Sequence, residues 1–253
     1  MALVRAPAPP RAGPLQLQGY KTALPYAYSF GEFPTLELLT HRPEHALRVV
    51  AHTKGLGRRG VAAVRARCEA RGLPFEVNDR AVERLSHKGN VYLFGVFAKY
   101  AAPLARERNH LLLVNPSDNG NVGTIVRTML GFGVRDLALI APAVDLFNPH
   151  VVRASMGATF AVNFAYFASL EVYRAAHAHR LYPFMLGGAK RLGEVRFEAP
   201  YTLVFGPEGA GLPEAYRAFE SVQIPQSPLV ESLNLAVAVG VALYEAARET
   251  SEG

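Results

Sequence analysis

The sequence predicts an α/β protein with a mainly parallel sheet covered by helices on both faces, and three observations support this fold class. Short apolar segments alternate with segments of helical periodicity through most of the 253 residues. Half of the residues are hydrophobic, which is enough for a full core. Loops rich in Gly, Asn and Ser follow several predicted strands, and ligands bind beside such loops at the carboxyl edge of parallel sheets.

The local composition divides the chain into four segments. Residues 1–27 are rich in Pro and Ala and predict a disordered tail. Residues 28–100 predict a small α/β domain, and the short polar segment 101–109 (AAPLARERN) predicts a linker. Residues 110–253 predict a second, larger α/β domain, in which the strands alternate regularly with helices.

The small domain begins with a helix and continues as alternating strands and helices. In chain order we expect a helix at LELLTH, a strand at ALRVVAH, a helix at VAAVRARCEARG, a strand at FEV, a helix at DRAVERLS and a strand at NVYLFGVFA. The helix VAAVRARCEARG is amphipathic, and Gly72 and Pro74 end it.

The larger domain contains six predicted strands, which are HLLLVN, DLALIAP, FAVNFAYF, YPFMLGG, YTLVFG and SVQIP. Helices are predicted at Asn121–Phe132, NPHVVRASMGA, SLEVYRAAHAHR and PEAYRAF, with His177 and His179 on the solvated face of the third. The last helix, Leu235–Tyr244, is apolar on nearly every face and therefore belongs inside the protein or in an interface. Ser232 is the predicted N-cap of this helix.

Charge and composition indicate a cytoplasmic protein with a polyanionic partner. The formal net charge is +6 and the isoelectric point is about 9.5, which favours nucleic acid over an acidic partner. Cys68 is the single cysteine, which excludes an internal disulfide and a cysteine-rich metal site. The sequence has no apolar run of the roughly 20 residues that span a bilayer and no signal-peptide core.

The segment Gly55–Gly60 (GLGRRG) matches the G-x-G-x-x-G pattern of dinucleotide-binding turns. It follows a predicted strand and precedes a predicted helix, which is the context of a nicotinamide-dependent oxidoreductase. Arg58 and Arg59 stand where such a turn needs compact residues. The alternative interpretation is a basic loop that caps a helix and contacts nucleic-acid phosphate.

Polar residues follow three predicted strands of the larger domain. Asn121 is the predicted N-cap of the first helix, and Arg127 lies farther along the same helix. Glu208 is the one charge in the glycine loop GPEGAGL, and Ser232 and Asn234 precede the last helix. Because the carboxyl ends of parallel strands share one edge, we expect these five side chains to gather there.

Four segments carry a resemblance to a known family. They are NVGTIVRT followed by Gly131–Val134, RASMGA at Arg153–Ala158, LVFGPEGAGL, and IPQSPLVESLNLAVAV. In this order and spacing they resemble the SpoU/TrmH family of RNA ribose 2′-O-methyltransferases, within the SPOUT superfamily, from about His110 to Arg248. Residues 28–100 resemble, more weakly, the small α/β RNA-binding domain often fused ahead of that catalytic domain.

The resemblance implies a SPOUT catalytic domain with a C-terminal trefoil knot, the methyl donor S-adenosyl-L-methionine, a homodimer formed through the knotted domain, and no metal. It implies a donor pocket formed by Leu203, Phe205, Gly206, Glu208, Gly209, Gly211, Ile224, Pro225, Ser232, Leu233 and Asn234. It implies a catalytic set of Asn121, Arg127, Glu208, Ser232 and Asn234, and RNA contacts from Arg58, Arg59, Arg65, Lys88 and Arg153.

The implied reaction moves a methyl group to a ribose 2′-hydroxyl of tRNA or rRNA. Because arginine is effectively always protonated, our hypothesis gives Arg127 the role of clamping the phosphate beside the target ribose and stabilising the developing alkoxide. Two alternatives stay open from the sequence: a non-catalytic RNA-binding protein on the same fold, and an NAD(P)-dependent oxidoreductase that uses Gly55–Gly60.

Overall fold

The computed structural model describes residues 16–86 and 90–252, with side chains to residue 249. The first 15 residues of the predicted tail, and the predicted RNA contact Lys88, lie outside the described residues. The described chain forms two compact units. The first comprises residues 16–100 and 145–161, and the second comprises residues 101–144 and 162–252.

The first unit is built on a four-stranded mixed sheet in the order β1-β4-β2-β3. Strand β4 is antiparallel to β1 and β2, whereas β2 and β3 are parallel. The strands are β1 (Tyr26–Phe30), β2 (Ala46–Ala51), β3 (Phe75–Val77) and β4 (Leu93–Ala98). The helices are α1 (Glu32–His41), α2 (Arg59–Glu69), α3 (Asp79–Ser86) and α5 (Pro149–Ala154), with 3-10 turns at Pro43–His45, Thr53–Gly55 and Ala158–Ala161.

Ordered structure begins within the predicted tail of residues 1–27. Tyr26 and Ala27 are buried in β1, and the Tyr26 hydroxyl donates a hydrogen bond to the carbonyl oxygen of Gln16, 3.0 Å away. Leu17 and Leu24 pack against the core of the same unit. The prediction for residues 16–27 was therefore wrong, because these apolar side chains bury against the sheet although Pro and Ala dominate the sequence before them.

The second unit confirms the predicted parallel sheet, with strand order β7-β6-β5-β10-β8. The strands are β5 (His110–Val114), β6 (Asp136–Ile140), β7 (Asn163–Phe167), β8 (Arg180–Pro183) and β10 (Tyr201–Phe205). Two short parallel strands, β9 (Lys190–Arg191) and β11 (Val222–Gln223), pair separately. The helices are α4 (Asn119–Gly131), α6 (Leu170–Ala176) and α7 (Leu235–Glu252), with a 3-10 helix at Glu214–Ala218.

The strand order places a topological switch point between β5 and β10. From β5 the chain proceeds to β6 and β7 on one side, and β10 and β8 lie on the other. The loops after β5 and β10 therefore diverge from neighbouring strand ends, which is where open parallel sheets form ligand crevices. Helix α4 follows the first of these strands, and it packs against α7.

Several predicted elements are shorter than expected. Helix α6 ends at Ala176, so His177 and His179 are not on the solvated face of a helix; His177 is buried and His179 is half-buried. The segment PEAYRAF forms a 3-10 helix, and the strand predicted at SVQIP is only the two residues of β11. Within the described ranges, the structure contains no helix with the length and apolar character needed to cross a membrane.

Candidate functional site

A cavity of about 680 Å³ opens at the carboxyl ends of β5, β8 and β10, within the size range of small-molecule sites. Its wall comes from the start of α4, the loop after β8, the glycine loop after β10, and the segment leading into α7. Four of the five predicted catalytic residues line it: Asn121, Glu208, Ser232 and Asn234.

The start of α4 places Asn121 in the cavity wall. The helix begins at Asn119, and the N-cap is Asp118, whose carboxylate accepts a hydrogen bond from the backbone N–H of Asn121 at 2.7 Å. The prediction that Asn121 is the N-cap was therefore wrong. Because Asp118 performs the capping, the Asn121 side chain stays available, and its amide donates to the Glu208 carboxylate.

The glycine loop after β10 approaches its own backbone closely at Gly206. A Cβ at this position would lie 2.4 Å from the carbonyl carbon of Gly211, so only glycine fits. Gly209 and Gly211 have φ angles of +83° and +66°, in the left-handed region that favours glycine. This tight loop holds Glu208 at the cavity, where it accepts the Asn121 hydrogen bond.

The start of α7 is capped by Asn234, not by Ser232 as predicted. The Oδ1 atom of Asn234 accepts from the backbone N–H groups of Ala236 at 2.9 Å and Val237 at 3.3 Å. Its Nδ2 atom donates to Oδ1 of Asn121 at 3.2 Å. The three side chains of Glu208, Asn121 and Asn234 therefore form a continuous relay across loops far apart in the sequence.

One wall of the cavity is aromatic and apolar. The rings of Phe184 and Phe205 stack with centroids 4.5 Å apart and an interplanar angle of 8°. Met185 and Leu186 follow Phe184 in the loop after β8. Sequence reasoning did not assign this loop to the site, because Phe184, Met185 and Leu186 fall inside the strand predicted at YPFMLGG, whereas β8 ends at Pro183.

The cavity is acidic. Among the described residues, its lining carries the carboxylates of Asp118, Glu208 and Glu214, and Arg217 is the one cation there. Arg217 forms an ion pair with Glu214 at 2.6 Å and donates to the carbonyl oxygen of Gly187 at 2.5 Å. The remaining charge is negative, so the site suits a cationic ligand rather than a phosphate.

Most of the predicted donor-pocket residues line the cavity, and two do not. Leu203 is fully buried in β10, and Pro225 is exposed, away from the lining. The predicted residues found in the wall are Phe205, Gly206, Glu208, Gly209, Gly211, Ile224, Ser232, Leu233 and Asn234.

Arg127 does not join the other four predicted catalytic residues. Its side chain is exposed on α4, does not line the cavity, and has no hydrogen bond or ion pair with any described residue. Six residues separate it from Asn121, which turns it to a different face of the helix. Within one copy of the chain, the expected gathering of all five side chains was therefore wrong for Arg127.

The space beside Gly55 and Gly60 is filled by other side chains of the protein and is not open to a bound phosphate. A Cβ at Gly55 would lie 2.5 Å from the Tyr92 side chain, and one at Gly60 would lie 1.9 Å from the Glu32 carboxylate. Glu32 also pairs with Arg58 at 2.5 Å. An acidic side chain at this helix start disfavours a bound pyrophosphate, so the structure does not support the oxidoreductase alternative.

The predicted RNA contacts described in the first unit differ in their ion pairing and in their exposure. Arg58 is paired with Glu32, and Arg65 pairs with Glu69 at 2.9 Å. Arg59 begins α2 and is exposed, and Arg153 is half-buried on α5.

Cys68 is fully buried in α2, and burial raises the pKa of its thiol to about 11, which agrees with a structural role.

Residues 108–244, more than half of the chain, match the SpoU rRNA Methylase family. An uncharacterized tRNA/rRNA methyltransferase of Synechocystis is 37% identical over 155 residues, covering 59% of this chain and 57% of that protein. The 23S rRNA (uridine(2479)-2′-O)-methyltransferase of Streptomyces viridochromogenes is 31% identical over 165 residues, covering 60% of this chain and 56% of that protein.

A solved structure extends the similarity through both units. The AdoMet-bound rRNA methyltransferase of Sinorhizobium meliloti has a TM-score of 0.74 and 28% sequence identity, and the match covers 88% of this chain and 87% of that one. The matches to the two relatives above span somewhat more than half of their length. The similarity therefore reaches the cavity and the parallel sheet that carries it.

Proposed function

Because the chain belongs to the SpoU rRNA methylase family, we propose that it transfers a methyl group from S-adenosyl-L-methionine to a ribose 2′-hydroxyl of RNA. One observation carries the proposal: a cavity at the carboxyl edge of a parallel sheet, acidic, partly aromatic and crossed by the Glu208–Asn121–Asn234 relay. The matched relatives are named rRNA and tRNA methyltransferases, and the proposed substrate is an RNA of one of these two classes.

The residues present fit the donor. When bound, S-adenosyl-L-methionine supplies an electrophilic methyl group on a positively charged sulfur. Asp118 and Glu208 give the cavity negative charge, which complements that sulfur. The stacked Phe184 and Phe205 rings offer an apolar wall that excludes water. At Gly209 a Cβ would have no neighbour within 4 Å, and the missing side chain lets backbone groups approach the donor closely.

The polar relay would hold the site in one geometry. Asn234 connects the start of α7 to Asn121, and Asn121 connects the start of α4 to Glu208. These hydrogen bonds would hold the two helix starts and the glycine loop together. Ser232 is exposed in the cavity wall and is placed to orient the incoming hydroxyl. The lining residues that the structure describes include carboxylates but no His, Lys or Tyr, so the cavity offers Asp118 and Glu208 as its own proton acceptors.

Arg127 completes the proposed site from a second copy of the chain. On α7, the apolar side chains of Val237, Val241 and Tyr244 are 52%, 39% and 58% exposed. Tyr244 lies beside Phe132, the residue that follows α4, with ring centroids 6.2 Å apart. An apolar face of this kind marks an interface. In the proposed homodimer this face is buried, and Arg127 on the adjoining helix acts on RNA bound at the partner's cavity.

Two further features belong to the proposal. The chain between β10 and α7 forms the proposed trefoil knot around the donor site. The backbone of this segment passes close to Gly206 and to Gly188 of the loop after β8, which is consistent with tightly threaded loops. Residues 16–100 form the proposed RNA-binding domain, in which Arg59 offers an exposed charge. Arg58, Arg59, Arg65, Lys88 and Arg153 all stay predictions as RNA contacts.

The decisive experiment is methylation of total RNA by the pure protein with methyl-labelled donor, followed by nuclease digestion and mapping of the labelled nucleotide. Label in a 2′-O-methylated nucleotide supports the proposal. Calorimetry with S-adenosyl-L-methionine distinguishes the non-catalytic RNA-binding alternative, which has no need to bind the donor. RNA binding with neither donor binding nor label transfer would replace the methyltransferase assignment with that alternative.

A further inference from the structure

A buried cluster of histidines lies at the opposite ends of the strands from the cavity. His110 begins β5, His177 follows α6, and His179 precedes β8. Their rings pack together, with the His110 and His179 centroids 4.2 Å apart. His110 and His177 are buried and His179 is half-buried. None of the three lines the candidate site.

Two of these imidazoles belong to a single chain of hydrogen bonds that runs between two backbone carbonyl groups. The successive distances are 2.7, 2.8, 2.7, 3.0 and 2.7 Å. In order, the groups are the Ala105 carbonyl, His110 (Nε2, then Nδ1), the Tyr173 hydroxyl, the Thr202 hydroxyl, His179 (Nδ1, then Nε2) and the Arg106 carbonyl.

The number of hydrogens in this chain does not match the number of links. Each of these five hydrogen bonds, or links, needs one hydrogen atom between its two heavy atoms. The two terminal carbonyl groups are acceptors and supply no hydrogen. A neutral imidazole, a phenol and an alcohol each supply one. With both rings neutral, His110, Tyr173, Thr202 and His179 together supply four. One link would then bring two lone pairs together, which is unfavourable inside the protein.

We propose that this cluster binds one proton beyond its neutral complement and that His179 carries it. The added hydrogen satisfies all five links in one direction. His179 donates from both nitrogens, to Thr202 and to the Arg106 carbonyl. Thr202 then donates to Tyr173, Tyr173 donates to Nδ1 of His110, and Nε2 of His110 donates to the Ala105 carbonyl.

Burial assigns the proton to His179 rather than to its neighbours. Burial, with smaller repulsion from the nearby histidines, lowers the pKa of His110 to about 4, and burial also lowers the pKa of His177. Burial raises the pKa of Tyr173, so its hydroxyl keeps its hydrogen. His179 is the more solvated end of the chain, where a charge costs least.

Charged groups surround the cluster on several sides. Asp136 of β6 is fully buried and interacts with His110 and His177, and its carboxylate pairs with Arg108 at 2.9 Å. The Arg106 side chain acts on His177 with the opposite sign. On the outer side of His179, a shallow surface cavity is lined by Arg174, Arg180 and Glu220, of which Glu220 pairs with Arg180 at 2.7 Å. Because positive and negative groups both surround the cluster, we infer its protonation state from the hydrogen-bond count and not from the nearby charges.

A metal ion is the competing occupant for three histidines. Their potential ligand atoms lie within 4.8 Å of one another, which is close enough for a metal ion to be considered. Zinc would, however, have to displace hydrogen bonds that already use both nitrogens of His110 and His179. The geometry therefore favours the proton.

The bound proton would fasten residues 105–106 to the amino ends of three strands. The Ala105 carbonyl is held by His110 of β5 and the Arg106 carbonyl by His179 before β8, while the Ala105 N–H donates to Asp136 of β6 at 2.9 Å. This role is independent of methyl transfer, because the cluster and the cavity lie at opposite strand ends.

Nitrogen-15 NMR of the full chain tests the proposal directly. At about pH 7, we expect both ring nitrogens of His179 to carry a proton and His110 to be neutral with its proton on Nε2. Two neutral rings, or an extra proton on His110 in place of His179, overturn the proposal. Stoichiometric zinc binding that shifts the His110 and His179 nitrogens also overturns it.

A matched pair of variants tests the count itself. Thr202→Val removes the hydroxyl and divides the chain into two parts, each with as many hydrogens as links, so His179 should become neutral at about pH 7. Thr202→Ser keeps the hydroxyl and should keep the doubly protonated ring. The same His179 state in both variants contradicts the proposal. Donor affinity should stay within about twofold in both, because neither touches the cavity.

Discussion

The side-chain amide of Asn234 donates a hydrogen bond to the Asn121 side-chain carbonyl, 3.2 Å away, between residues separated by 113 positions. The same Asn234 side chain accepts from two backbone N–H groups at the start of α7. One residue therefore both caps a helix and ties that helix to the polar relay. These two roles can be separated by substitution.

Asn234→Ala should lose both roles, whereas Asn234→Ser should keep the cap and lose the relay. We expect the alanine variant to be destabilised by about 1 kcal/mol and the serine variant by only a few tenths, because serine is a good N-cap. Both should lose methyl transfer, by roughly 10-fold or more, because neither can hold Asn121. Urea unfolding and a labelled-donor assay measure the two effects. Full activity in Asn234→Ser would show that the relay has no part in the reaction.

Gly206→Ala should disrupt the donor loop. The added Cβ would meet the backbone carbonyl carbon of Gly211 at 2.4 Å, and backbone atoms cannot move aside as a flexible side chain can. We expect destabilisation of about 1–3 kcal/mol and loss of donor binding, measured by unfolding and calorimetry. Gly131→Ala is the matched control, because a Cβ there has no described neighbour within 4 Å. Wild-type donor affinity in Gly206→Ala would contradict the close approach.

The sheet and the loops around the cavity could be predicted because they depend on local patterns. Apolar strands such as β5 and β10 are buried along their whole length, and glycine-rich turns follow strand ends. Cap assignment failed at Asn121 and Ser232 because several good capping residues stand close together, and only coordinates show that Asp118 and Asn234 make the bonds.

The remaining errors came from tertiary contacts that leave no periodic signal. His177 and His179 follow a helical pattern, but α6 ends at Ala176 and the rings turn into a buried cluster. Residues 145–161 lie between β6 and β7 in sequence yet pack with the first unit, where α5 contacts β1. Arg127 shares a helix with Asn121, and its exposure could not be read from that helix alone.

Arg127→Lys should abolish most activity while donor binding persists. The proposed role needs a planar fork that contacts phosphate and alkoxide, which a lysine point charge cannot reproduce. We expect turnover to fall by about 100-fold and the donor dissociation constant to change by less than about twofold, because Arg127 lies outside the cavity lining. Arg135→Lys, an exposed arginine of the same unit, is the control. Near-normal turnover in Arg127→Lys would refute the clamp.

Val241→Glu should separate the proposed homodimer. The substitution places a charge on the exposed apolar face of α7, and that charge would be costly to bury in an interface. Sedimentation should change from twice the chain mass to the single-chain mass of 27.5 kDa, with loss of methyl transfer. Ala175→Glu adds the same charge at an exposed position on α6 and should stay dimeric. A monomeric wild-type protein, or a dimeric Val241→Glu, would exclude this interface.

Acid should destabilise the protein well before its carboxylates titrate. Burial lowers the pKa of His110 to about 4, whereas an unfolded histidine titrates near about 6.5. Between these values the unfolded chain binds a proton at His110 that the folded chain excludes, so the contribution of His110 to stability is complete above about pH 6.5 and is lost as the pH drops toward about 4. His45 and His177, whose pKa values are also lowered by burial, act in the same direction.

The expected loss from His110 alone reaches about 3 kcal/mol at the acid end of this window, as an order of magnitude. Urea unfolding at about pH 7, 6 and 5 measures it, since histidine is the side chain that ordinarily titrates in that interval. A free energy of unfolding that stays constant from about pH 6.5 to 5 would contradict the lowered pKa of His110 in the folded protein.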